Sequence, residues 1–268
     1  MKYEISTLSV LFIILDMVIG IVIPVAALLI LKMKKKCQIK PFLFGVLAMF
    51  LFAMVLEQLI HLGVGKAVPI LLDRNHYWIS GLYGGLMAGL FEETARFLIM
   101  TVFLKKCYEN DANAFMYGVG HGGFEMVVIL LLGMINNLVL AVMIKTGNVE
   151  TLLNGLPAET LLTMQQGLQL LCDTNPFMFL VAVWERISAF TAQIALSYIV
   201  WQGVKNKKLL WFFPLAIVLH MVLDTSSVVL NGMGMPVVLI EVFVSVMALC
   251  IVAVAIGASK LSKKNKSL

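Results

Sequence analysis

The sequence predicts an all-α fold, a polytopic transmembrane helical bundle of about seven spans. Three observations predict it. Of 268 residues, 61% are hydrophobic and only 13% charged, far from the roughly half-apolar, quarter-charged makeup of soluble domains, and mean hydropathy is +0.97. Apolar runs at 6–31, 42–64, 79–104, 113–144, 177–203, 209–230 and 236–258 are long enough to cross a hydrocarbon core of roughly 30 Å. The basic residues between these runs collect in alternate connections.

In the first run the basic cluster follows the apolar stretch, and no small-x-small site precedes that cluster. It reads as an anchor rather than a cleaved signal. The second run carries Glu57 and His61, and the third carries Glu92, Glu93 and Arg96 in GLFEETARFLIM. The fourth, with His121 and Glu125, is longer than a crossing needs and is expected to be tilted or broken. The connection at 145–176 holds Gly147, Gly155, Pro157 and Pro176, yet its middle, AETLLTMQQGLQLL, spaces Leu and Met as a helix does. An external interfacial helix is expected there. The fifth run contains Glu185 and Arg186, the sixth His220 and Asp224, and the seventh Glu241. No low-complexity segment, repeat or soluble domain interrupts the pattern, so residues 1–268 read as a single integral membrane domain.

Orientation follows from the lysines, which cytoplasmic loops retain. Fourteen of the 20 Lys and Arg residues (Lys32, Lys34, Lys35, Lys36, Lys40, Lys105, Lys106, Lys205, Lys207, Lys208, Lys260, Lys263, Lys264 and Lys266) fall on one side; Lys2, Lys66, Arg74 and Lys145 fall on the other. The N-terminus is expected outside and the C-terminus in the cytoplasm. The expected location is a cell membrane crossed several times, of the bacterial plasma-membrane type. The net charge of +5 is accounted for by lysines beside the inner leaflet, which leaves no basic patch for nucleic acid. Cys37, Cys107, Cys172 and Cys250 are scattered singly, a pattern that supports neither a disulfide framework nor a thiolate metal site.

The polar residues inside the spans carry the functional information. A charge at the bilayer centre costs roughly 2.5–3.5 kcal/mol, so several of them require a compensating arrangement. Counted from the cytoplasmic end at 1.5 Å per residue, His121 lies roughly 14 Å deep, His220 about 16 Å, and Glu92 and Glu93 about 18 Å. Glu125 and Asp224 come out one turn further. His121 with Glu125, His220 with Asp224 and Glu92 with Arg96 are i,i+4 pairs, each sharing one helix face. Glu93 points about 100° further round. Spans 79–104, 113–144 and 209–230 can therefore bring one polar pocket together. Gly84, Gly85 and Gly89 on one helix, and Gly118, Gly120, Gly122 and Gly123 around His121, permit close backbone approach. Glu57 with His61 and Glu185 with Arg186 lie nearer the outer face, as helix-bracing pairs or as a second layer at an entrance.

The ordered set EExxR, then a histidine, then HxxxD resembles the superfamily of glutamic intramembrane proteases that includes the CAAX prenyl proteases and bacteriocin-processing enzymes, the PrsW proteases and, most closely, the YhfC group. The resemblance covers spans three to six. It implies that Glu92 activates water, that Glu93 is its partner and Arg96 an orienting cation, and that His121, His220 and Asp224 position water or stabilise an oxyanion. EETAR is one residue shorter than the CAAX-type EExxxR and nearer the PrsW spacing, and Tyr117 stands where the CAAX type has Phe four residues before the histidine. Prenylated substrates are therefore not implied.

The residue types suit this chemistry independently. Peptide hydrolysis needs a base for water, donors for the oxyanion and an acid for the leaving amine. No cofactor is predicted, although Glu92, His121, Glu125 and His220 are also zinc-type or other divalent-metal donors; HExxH is absent. The expected partners are a membrane protein or peptide substrate and the lipid bilayer. Other readings of the same cluster are a metal-dependent protease, a proton- or cation-coupled transporter and a binding module without turnover. Against the transporter, no duplicated half with matched broken helices is visible.

Overall fold

The computed structural model describes residues 3–264 and is helical throughout its regular elements, with no strand among the described residues. Its helices are α1 (Thr7–Lys35), α2 (Ile39–Ala67), α3 (Tyr77–Val102), α4 (Ala112–Thr146), α5 (Val149–Leu153), α6 (Ala158–Asp173), α7 (Phe177–Lys205), α8 (Phe212–Gly232) and α9 (Val237–Lys264). Six of them, α1, α2, α4, α7, α8 and α9, belong to helical stretches long and apolar enough to cross a membrane. The seventh expected span is α3. At 26 residues it is about 39 Å long, and Glu92, Glu93 and Arg96 are what lower its apolar character. Lys2 and Lys266, used in the charge count, lie outside the described residues.

The expected irregularity of the fourth run is a π-helical turn at Val127–Leu132. A second, which the sequence does not announce, occupies Met49–Glu57 of α2. Such turns interrupt the i→i−4 ladder and occur often at functional sites. The helix expected in the connection at 145–176 is α6, preceded by the single turn of α5. All four cysteines are free.

The chain divides into two compact units. One comprises Met1–Ile23 and Met126–Arg186; its core gathers Ile5 and Ile13 with Ala141 and Ile144 of α4, Leu168 and Leu171 of α6, and Phe179 of α7. Lys145 of α4 donates to the Thr7 hydroxyl at 3.2 Å within this unit.

The other unit, Pro24–Glu125 and Ile187–Leu268, contains the converging polar residues. Its helices approach through glycine. Gly81, Gly85 and Gly89 recur every four residues along one face of α3, and a Cβ at Gly85 or Gly89 would lie 2.6 Å from the Met221 carbonyl or 2.8 Å from the Ile217 carbonyl of α8. Around His121, a Cβ at Gly120 would strike the Phe42 carbonyl of α2, and one at Gly122 would lie 2.7 Å from Gln193 Cβ of α7. Without a hydrophobic drive between helices in lipid, this close packing supplies much of the association.

Three connections meet at one end of this unit. Lys40 donates to the Phe103 carbonyl at the end of α3 at 3.0 Å, Asn110 to the Lys35 carbonyl at 3.0 Å, and Lys205 pairs with Asp111 at 2.6 Å. Loops that the lysine count assigns to a common side are thus in contact. That this end is cytoplasmic remains a proposal from the positive-inside rule.

Candidate active site

Glu92 and Glu93 sit in the second half of α3, four and three residues before Arg96 respectively, so one helical turn places the guanidinium against both acids. Arg96 bonds to Glu93 Oε1 and reaches Glu92 Oε2 at 3.5 Å. Glu93 and Arg96 are completely buried and Glu92 is 6% exposed. In such a setting an unpaired charge is expensive, and the delocalised, weakly hydrated guanidinium suits burial better than an ammonium.

The two histidines enter from α4 and α8, and each meets a different acid. His121 Nε2 lies 2.8 Å from Glu92 Oε2. His220 Nδ1 lies 2.8 Å from Glu93 Oε1, while its Nε2 stands 3.5 Å from Asp224 Oδ2 and 3.9 Å from Glu92 Oε2. At 3.5 Å Asp224 is a long contact of the same length as that from Arg96 to Glu92, and the 3.9 Å to Glu92 exceeds a direct hydrogen bond. Asp224, with its side chain 39% exposed, marks the open edge of the cluster. Tyr117, one turn before His121, stacks on its ring with centroids 6.1 Å apart and is fully buried. Its hydroxyl and His121 Nδ1 have no hydrogen-bond partner among the described residues.

Gln193 of α7 was not singled out by sequence reasoning, and it joins the cluster from a fourth helix. Its amide donates to Glu92 Oε2 at 2.9 Å and to Glu125 Oε2 at 2.8 Å, and its carbonyl accepts from Arg96 Nη2. One signal was available: an amide inside FTAQIALSYIV is costly in lipid unless paired. Substituting Gln193→Leu should remove one donor from each of Glu125 and Glu92 and lower stability by about 1.5–3 kcal/mol, in line with a lost hydrogen bond to charged groups. Gln193→Glu should be worse, because it sets a third carboxylate beside two. Thermal unfolding in detergent checks both.

The expected second layer separates into two. Glu57, on α2, lies 3.2 Å from His61 Nε2, and His61 Nδ1 lies 2.9 Å from the Tyr83 hydroxyl of α3. Glu57 also lies within electrostatic reach of Glu92, His220 and Asp224. Glu185 and Arg186 bond to one another and fall in the unit at Met126–Arg186.

Residues 19–244 match the family model described as YhfC intramembrane metalloprotease. The chain belongs to that family. It is 35% identical, over 226 residues, to the membrane protein YhfC of Bacillus subtilis (strain 168), covering 84% of this chain and 86% of that one. No solved structure matches the chain. The apolar helices make this YhfC-family chain a multi-pass membrane protein, and the family's description is that of a membrane protease and implies a metal. The donor types Glu92, His121, Glu125 and His220 suit zinc. Their present partners do not: among the described residues no group of three His, Cys, Asp or Glu side chains is disposed to hold an ion, and Arg96 already engages both α3 carboxylates. In this YhfC-family arrangement the residues do not fit a chelated metal.

Proposed function

We propose that the protein is an intramembrane endopeptidase that hydrolyses a membrane-embedded or membrane-adjacent peptide bond with a glutamate-activated water. The observation that supports this reading is the convergence of Glu92 with two histidines from other helices, Glu92 Oε2 lying 2.8 Å from His121 Nε2 and 3.9 Å from His220 Nε2, beside the partly exposed Asp224. A water that enters beside Asp224 meets a carboxylate to take its proton and an imidazole to face the substrate carbonyl.

Glu92 serves as the base. It retains some exposure, whereas Glu93 is sealed and occupied by Arg96 and His220. As water adds to the carbonyl carbon, its proton passes to Glu92, and the oxyanion develops beside His220 Nε2. Breaking the C–N bond sends that proton from Glu92 to the leaving amine, so both products leave neutral overall and Glu92 returns to its carboxylate. Glu93 holds Arg96 and His220 in place, Asp224 orients His220 from the open side, and His121 and Gln193 fix the Glu92 carboxylate. Preorganised donors of this kind account for much of an enzyme's rate.

A metal-assisted variant is supported by the family's description and by the donor types at Glu92, His121, Glu125 and His220, and a single experiment separates the two. Membrane vesicles carrying the wild-type protein or Glu92→Gln are compared for new peptide N-termini by mass spectrometry, with bound metals counted in the same preparations. The expected result is a set of termini that requires Glu92 and persists after metals are stripped. Termini that vanish on stripping and return with stoichiometric zinc would replace the metal-free mechanism. Ion transport in sealed proteoliposomes with no peptide product would favour a proton or cation relay.

A further inference from the structure

On a face of α7 away from Gln193, the side chains of Thr191, Ile194, Ala195 and Tyr198 line a groove of about 470 Å³ shared with α9 and the start of α4. The volume lies within the ~300–1,000 Å³ of small-molecule sites. Its character changes along its length. Phe115, Val252, Ala255 and Ile256 make one stretch apolar, and Ser259, Lys260 and Lys263 make the other end polar and basic. The polar end is ordered from within: the Tyr198 hydroxyl donates to Ser259 Oγ at 3.0 Å, and the Tyr198 ring stacks on Phe115 with centroids 4.8 Å apart.

We propose that this groove binds an anionic phospholipid, with an acyl chain along the apolar wall and the phosphate on Lys260 and Lys263. Three properties select that occupant. The helices around the groove are candidate membrane spans, so their outward surfaces meet lipid. The division into an apolar length and a basic end copies the division of a phospholipid, and basic pockets between membrane helices hold anionic headgroups. Both lysines are exposed, and neither is held by an ion pair or hydrogen bond among the described residues. Their compact ammonium groups suit a phosphate as point charges. A free anion would leave the apolar wall uncovered, and an apolar helix from another protein would leave the lysines unmatched. The site is separate from the Glu92 cluster and does not depend on the peptidase reading.

The test uses the full chain in detergent, equilibrated with phosphatidylglycerol or phosphatidylcholine and read by native mass spectrometry for retained lipid. The wild-type protein should retain phosphatidylglycerol in preference to phosphatidylcholine, and the double substitution Lys260→Gln, Lys263→Gln should reduce that retention roughly tenfold. Ile256→Trp, which fills the apolar stretch with Lys260 and Lys263 intact, should reduce it too. Glycerol phosphate, a headgroup without chains, should not compete. Equal retention of the two lipids by the wild-type protein overturns the proposal whatever the variants do. So does retention untouched by both kinds of substitution in variants that unfold at the wild-type temperature, or displacement by glycerol phosphate, which would mark a plain anion site.

Discussion

Glu92→Gln should lower peptide cleavage by roughly two to four powers of ten, the range that a positioned base contributes, with the protein still folded. The amide keeps the shape and a carbonyl that can accept from Gln193 and Arg96, so the contacts that reach Glu92 Oε2 have a substitute acceptor. What it loses is the ability to hold a proton. The fall should therefore appear in kcat with KM little changed, the signature of an interaction made in the transition state. Glu93→Gln provides the contrast. Glu93 is fully buried and bonded to both Arg96 and His220, so this change should disturb the positions of two other groups and lower thermal stability as well as turnover. Wild-type cleavage by Glu92→Gln would sink the assignment of the base, and equal stability loss in both variants would sink the division of roles.

Arg96→Met should be the most destabilising single substitution in the site. The guanidinium is fully buried and engages Glu92, Glu93 and Gln193. Removing one partner of a buried ion pair leaves charge uncompensated, at about 3–5 kcal/mol. Arg96→Lys keeps the charge but not the planar fork, and a single ammonium cannot reproduce the same set of directed bonds. It should fold better than Arg96→Met and still turn over slowly. The combination of Arg96→Met with Glu93→Gln should recover part of the stability, because the acid left behind is then neutral. Thermal unfolding of the four proteins in one detergent measures this as a double-mutant cycle, and strict additivity would show that Arg96 and Glu93 do not act as a pair.

Much of this was legible without coordinates. Length and hydropathy give the spans, and the interruption of the fourth run appears as the π-helical turn at Val127–Leu132. The helix at Ala158–Asp173 was visible as Leu and Met spacing. The third run, α3, carries Glu92, Glu93 and Arg96 and lies outside the six helical stretches that qualify on length and apolarity. The i,i+4 rule anticipated the neighbours Glu92 and Arg96, and His220 and Asp224, both within 4 Å. It did not reveal that His121 Nε2 reaches across to Glu92, or that Glu125 accepts from Gln193. Tyr83, bonded to His61, was equally invisible, because nothing in the spacing of one helix reports the rotation of another.

The sequence by itself determined which residues are polar within the apolar helices, where along its helix each stands and which face it occupies. Those properties follow from the 1.5 Å rise and 3.6-residue turn of a helix set in a core of roughly fixed thickness. Only the tertiary structure decided which faces turn toward each other. That choice rests on close contacts such as Gly85 against the Met221 carbonyl and Gly120 against the Phe42 carbonyl, where the absence of a side chain fixes the approach of α3 to α8 and of α4 to α2. In lipid such packing sets the rotation of each helix, and that rotation joins Glu92, Glu93, His121, Gln193 and His220 in one hydrogen-bonded cluster.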